Sequence, residues 1–207
     1  MNYNELNEIH IDVLREIGNI GAGNAATSLS QMLSKRIDMN VPEVSILKYD
    51  DAIESIGGAE NVVVGILVSF NGDIDGVILF LLKKEFVHLI LNSLLGTELC
   101  NFEEISEMEL SALSEIGNIM VSSYVNSIAS LTNMTIDITV PSLNIDMAGA
   151  LLDAVAVEFA EAADKVIFIK EKYFYGQETV YSNMLLLPSM SSLNKLLKGF
   201  GIEIWVM

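Results

Sequence analysis

A chain of 207 residues, half of them hydrophobic, is long enough for a sizeable core and too apolar to be disordered. Its 28 acidic residues against 11 basic ones give a formal charge of −17, which excludes nucleic-acid binding and argues equally against anionic membrane surfaces. The acidity otherwise reads as a solubilising surface, or as steering toward a basic patch on a partner protein.

The longest apolar stretches, such as Asn61–Phe70 and Val77–Leu82, are strand-length and end at Asn71-Gly72-Asp73 or Lys83-Lys84. No apolar run reaches the roughly 18 residues that a bilayer crossing needs. The opening Met1-Asn2-Tyr3-Asn4-Glu5 lacks the basic and apolar regions of a signal peptide. A single cysteine, Cys100, leaves no internal disulfide framework and fits a reducing cytoplasm.

In chain order, Asn4 is placed to cap a helix from about Glu5 to Ser34. A β-branched stretch surrounds Pro42, from Ile37 to Leu47, and Asp50–Ile56 leaves room for a short helix only. Two strand patterns, Asn61–Phe70 and Ile74–Leu82, flank a turn at Asn71-Gly72-Asp73. A helix over Lys84–Leu95 closes at Gly96, and Asn101-Phe102-Glu103-Glu104 is a short connection. The order then repeats: helix Ser106–Thr132, strand Ile136–Leu143, helix Ala148–Ala162, strands Lys165–Glu171 and Thr179–Leu187, helix Ser191–Leu197.

The repetition extends to the residues themselves. Placing Asp12–Pro42 over Ser111–Pro141, an ungapped offset of 99 positions, matches Leu14, Glu16, Ile17, Gly18, Asn19, Ile20, Ser28, Ile37, Asp38, Val41 and Pro42 with identical residues. The chain is therefore a tandem duplication. The expected fold class is α/β of the α+β kind, with pseudo-two-fold repeats of about residues 5–100 and 103–207 in a single domain over 1–207. They should share one mostly antiparallel sheet and one core, with the two long motif-bearing helices on its outside.

Asp12, Glu16 and Asn19 fall within about 60° of arc on a helix, as do Ser111, Glu115 and Asn118. Small residues, Gly23 and Ser122, follow on the same side. Leu14, Ile17, Gly21, Ala25, Ser28 and Met32 lie opposite, as do Leu113, Ile116, Met120, Tyr124, Ser127 and Leu131, so the polar stripes should face away from the core. Polar residues on an exposed helix face are ordinary in a single copy. Here both copies keep a poor helix former, Asn, in mid-helix, beside a glycine (Gly18, Gly117) that costs about 1 kcal/mol against alanine. Both also keep the proline downstream.

An Asn amide has no basicity, but it donates and accepts hydrogen bonds. It can hold a water in line with an electrophile, which is catalysis by orientation. That suffices when the electrophile is already activated, as in an acyl phosphate. The neighbouring Glu would anchor a cation beside the phosphoryl group.

These residues resemble the signature of the CheC/CheX/FliY phosphatase family of bacterial chemotaxis: Asp or Ser, Glu four residues on, Asn three further, and Pro 23 after the Asn. Asp12, Glu16, Asn19 and Pro42 match it, and so do Ser111, Glu115, Asn118 and Pro141. Two motifs without an added flagellar-switch domain are the layout of the CheC branch. The resemblance implies hydrolysis of the aspartyl phosphate of phosphorylated CheY, with Glu16, Asn19, Glu115 and Asn118 catalytic. Glu would pair with the receiver's active-site lysine. It implies no cofactor or metal of the chain's own, with Mg2+ held by the CheY partner. It also implies association with CheD, a receptor glutamine deamidase, through the helix Ala148–Ala162, making Leu152, Asp153 and Val155 candidate contacts. The alternative is a non-catalytic adaptor that sequesters CheD.

Other readings are weaker. Gly21-Ala22-Gly23-Asn24-Ala25-Ala26 matches a dinucleotide fingerprint, yet no strand precedes it and the second copy lacks the glycines. His10 and His88 have no ligand-spaced partners. Serine hydrolase chemistry lacks a nucleophile elbow. Trp205 and the methionines most simply fill core space.

Overall fold

A computed structural model describes residues 3–159 and 165–202. The end of the expected helix Ala148–Ala162, and Trp205, lie outside the described residues. The elements of the first repeat are α1 (Glu8–Met32), β1 (Ile37–Met39), β2 (Glu43–Lys48), α2 (Tyr49–Ile56), β3 (Val62–Gly72), β4 (Gly76–Leu82) and α3 (Lys84–Leu95). The second repeat supplies α4 (Glu107–Thr132), β5 (Ile136–Ile138), β6 (Ser142–Met147), α5 (Ala148–Phe159), β7 (Lys165–Tyr175), β8 (Glu178–Pro188) and α6 (Met190–Gly199).

Equivalent capping boxes start the two long helices. Ser106 Oγ accepts from the Glu109 N–H, and Glu109 Oε2 accepts from the Ser106 N–H at 2.8 Å. At the matching position in the first repeat, the Asn7 side chain accepts from the His10 N–H at 3.2 Å, while His10 Nδ1 accepts from the Asn7 N–H at 3.0 Å. Asn7, not Asn4, is therefore the cap, and Tyr3–Glu5 is a separate 3-10 turn. His10 is occupied as a capping residue.

The β-branched stretches are each two strands rather than one. Among the described residues eight strands make one antiparallel sheet in the order β1-β7-β8-β4-β3-β5, with β2 also beside β7 and β6 also beside β3. The repeats thus exchange partners. β1 and β2 of the first repeat lie on the β7–β8 hairpin of the second, and β5 and β6 lie on the β3–β4 hairpin of the first. Both junctions are bulged. Asn40, Val41 and Pro42 span the gap opposite Glu171 and Lys172, and Thr139, Val140 and Pro141 span that opposite Val68 and Ser69. Proline has no N–H for a ladder, so it belongs where pairing is interrupted.

Alternation along the strands feeds two cores. Val64, Ile66, Phe80, Ile169 and Met184 pack beneath α1, α3, α4 and α6, whereas Val63, Leu79, Phe168 and Leu185 pack beneath α2 and α5. Among the described residues no helix is long and apolar enough to cross a membrane.

One buried carboxyl breaks the symmetry. Glu171 is fully buried and accepts from the hydroxyls of Tyr124, Ser182 and Tyr173, the last at 3.1 Å. The sheet register puts Val68 at the corresponding place in the first repeat, because Leu67 pairs with Ser142 as Lys170 pairs with Glu43. Burial raises the Glu171 pKa above the usual glutamate range, and the three hydroxyl donors offset only part of that shift. A raised folded-state pKa means that the folded protein holds this proton more tightly than the unfolded chain. The contribution is therefore complete below the ordinary glutamate pKa and is lost as pH rises through the folded value. Glu171→Gln should flatten this decline in a denaturant series at several pH values. Glu171→Ala should lower stability at every pH, by about 1–3 kcal/mol for each buried hydroxyl left without an acceptor.

Candidate active site

Counted from the capping boxes, both polar stripes run from the second turn to the middle of their helices, Asp12 to Asn19 on α1 and Ser111 to Asn118 on α4. Asp12, Glu16, Ser111 and Glu115 are exposed, while Asn19 and Asn118 are half-buried. Behind them Leu14, Ile17, Leu113, Ile116 and Met120 are buried, fixing each helix's rotation about its axis. A Glu and an Asn three residues apart on a helix have Cβ atoms about 5–6 Å apart, so each pair can address one bound group. Among the described residues none forms a hydrogen bond or ion pair with the side chains of Glu16, Asn19, Glu115 or Asn118. Asp12 is ion-paired with Arg15, whose counterpart in the second copy is Ser114.

Pro141 joins its stripe through the bulge. In the second repeat Ser111, Glu115, Asn118, Val140 and Pro141 line one open groove of about 1050 Å³, together with Ala112, Ile138, Met108 and Leu95. The whole motif therefore lines a single groove, although Pro141 is remote from Asn118 in sequence. Val140 is 89% exposed and Met108 69% exposed, as are their equivalents Val41 (61%) and Ile9 (59%). Sequence reasoning overlooked these four. The available signal was an apolar residue at the border of each polar stripe, one turn before Asp12 and Ser111, together with the identity of Val41 and Val140.

The recurrent glycines have a packing explanation in one copy. A Cβ on Gly117 would lie 2.7 Å from both Cγ2 and Cδ1 of the buried Ile66, so this glycine lets α4 rest on β3. At Gly18 a Cβ would make an ordinary contact, 3.6 Å from Ile169. Gly21, part of the apparent dinucleotide fingerprint, is in mid-helix against the Tyr124 ring, where α1 meets α4.

Two candidate partner contacts need correction. Leu152 and Val155 are buried against the sheet with Ala52 and Leu79, and offer no surface to another protein. Asp153 is exposed, alongside Ala150, Ala154 and Val157. His88 Nδ1 accepts from the Leu99 N–H at 3.1 Å, and among the described residues no three His, Cys, Asp or Glu side chains form a metal-ligand group.

A family model for the CheC-like family matches residues 9–46 and 108–145. The CheY-P phosphatase CheC of Bacillus subtilis (strain 168) is 32% identical over 206 residues, covering 98% of this chain and 99% of that protein. The chain belongs to the CheC-like family. The flagellar motor switch phosphatase FliY of the same organism is 28% identical over 68% of this chain and 37% of its own length. The crystal structure of Thermotoga maritima FliY superposes with a TM-score of 0.76 at 26% identity, covering 95% of this chain and 98% of that one. Each CheC-like segment runs from the first turn of a motif helix through the bulge and into the next strand. The family pattern thus takes in the stripe, the proline and the flanking apolar pair together.

Gly117→Ala should destabilise the protein by about 1–3 kcal/mol through overpacking on Ile66. Gly18→Ala should be neutral or stabilising by up to about 1 kcal/mol, because the helix gains propensity without a clash. Urea unfolding of the two variants checks this; equal effects would contradict the packing asymmetry.

Proposed function

We propose that this phosphatase hydrolyses the aspartyl phosphate of a phosphorylated CheY-type response regulator. Asn19 and Asn118 each orient the attacking water, and Glu16 and Glu115 anchor the receiver. The observation that carries this reading is the pair of Glu–Asn couples, each without a partner among the described residues, each in the middle turns of a capped helix and kept in both repeats. The near-full-length relative that is named for CheY-P supports the substrate.

The chemistry asks little of the chain. The water oxygen forms a bond to phosphorus, the P–O bond to the aspartyl carboxyl breaks, and the carboxylate leaves with that electron pair. The water's proton departs with the inorganic phosphate. An Asn carboxamide aligns the water by hydrogen bonding and need not take the proton. The Glu carboxylate pairs with a receiver ammonium, fixing the phosphoryl group relative to the Asn. Mg2+ at the phosphorylation site would be held by the receiver. Such a substrate places the protein in the cytoplasm.

Decay of radiolabelled phospho-CheY tests this. Asn19→Ala with Asn118→Ala should keep the native thermal midpoint and abolish accelerated decay, and the single variants apportion activity between the sites. Undiminished decay in the double variant would sink the catalytic assignment and leave the adaptor reading.

A second interaction fits the outer face of α5, where Ala150, Asp153, Ala154 and the 88%-exposed Val157 follow helical spacing. We assign CheD docking to this face. It is on the side of the sheet opposite α1 and α4. Asp153→Lys with Val157→Glu should weaken CheD binding in titration calorimetry while phospho-CheY decay stays unchanged. Loss of both activities together would contradict two separate surfaces.

A further inference from the structure

Large exposed hydrophobic side chains recur at the same two places in both repeats, Ile9 with Val41 and Met108 with Val140. Ile9 and Met108 stand in the first turn of their helices, one turn before Asp12 and Ser111. Val41 and Val140 stand on the bulges, and the following proline confines each to extended backbone. Met108 on the helix and Val140 on the bulge bracket the Glu115–Asn118 stripe, and Ile9 and Val41 hold the equivalent positions of the first repeat. In the second repeat both members line the same groove as Glu115 and Asn118.

Neither pair serves the fold, because these side chains point away from both cores. The duplication nevertheless keeps them apolar. Val41 and Val140 are identical, while Ile9 and Met108 differ in shape and keep their bulk. In a chain of charge −17, an exposed apolar pair at each stripe is surface held for contact.

We propose that these pairs are docking rims that close on an apolar patch of the receiver immediately around its phosphorylated aspartate. The proposal rests on the phosphatase reading above. An acyl phosphate reaches Asn118 only if the surface bearing it closes over the groove, and Met108 and Val140 are the most exposed large hydrophobic side chains lining it. Covering them removes apolar area from water and fixes the angle of approach. The rims touch no reacting atom. They are positioning residues that set affinity and leave the chemical step alone.

The test uses the full chain with Ile9→Gln, Val41→Ser, Met108→Gln and Val140→Ser, in pairs and together. All four positions are exposed, so the thermal midpoint should hold. The combined variant should raise KM for the phosphorylated receiver by about tenfold or more, with kcat within about twofold. Binding of the beryllofluoride-activated receiver, followed by calorimetry, should weaken in parallel. The apolar variants Ile9→Leu and Met108→Leu should restore both. An unchanged KM and unchanged receiver binding would overturn the rims, as would a fall in kcat with KM constant. Asn19→Ala with Asn118→Ala in the same assays separates the two ideas. It should abolish turnover and preserve binding. Persistent turnover would refute the phosphatase reading, whereas the rims stand or fall on KM and receiver binding alone.

Discussion

The exchange of strands between the repeats is the constraint on which everything else depends. Among the described residues β1 and β2 have no pairing partner in their own repeat, and neither do β5 and β6. Each bulge is consequently pinned by the opposite hairpin: Asn40 N–H donates to the Lys172 carbonyl at 3.1 Å, and Thr139 N–H to the Ser69 carbonyl at 2.9 Å. The bulge sets where the proline and its valine stand relative to the helix, so each site's geometry depends on both repeats. Side-chain burial on both faces of β4 and β8, which join the halves, makes that dependence rigid.

Within this frame the two copies diverge in compensating ways. Where α1 meets α4, Gly21 receives the Tyr124 ring, while the equivalent positions hold Met120 and Ala25. Two tyrosines could not occupy that space, so size on one helix is matched by its absence on the other. Tyr124 brings a hydroxyl into the core, and Glu171 with Tyr173 and Ser182 absorbs it. The stripes changed far less. Among the described residues their Glu and Asn have no internal partners to co-vary with, and only the first position differs, Asp12 with its Arg15 against Ser111.

Much of the fold is legible in the sequence because local physics is decisive there. Ser106-x-x-Glu109 announces the start of α4, and Lys84–Leu95 carries its own periodicity and a glycine stop. The α1 cap is harder to read, because histidine at the third helical position is an unusual partner in a capping box. Strand exchange is invisible: alternation says which face a residue takes, not which strand lies beside it. The burial of Leu152 and Val155 is equally hidden, because α5 is apolar nearly all round and its pattern does not define an inner face. The Glu–Asn stripes stand out through their repetition. The flanking hydrophobics do not, because their significance lies in exposure, which only the fold supplies.

The exchanged strands also govern how the chain must come together in time. Ile37–Met39 pairs with Tyr173–Tyr175, so the sheet cannot close until most of the polypeptide has left the ribosome. Such pairings carry a large loop-closure entropy and give a high contact order, which slows folding. Neither repeat can serve as a finished folding unit for the other to build on. While they wait, β1 and β2 are apolar edges in search of a neighbour, the situation in which chains aggregate. The surplus of negative charge then acts before there is any structure, keeping incomplete chains apart until the second hairpin arrives.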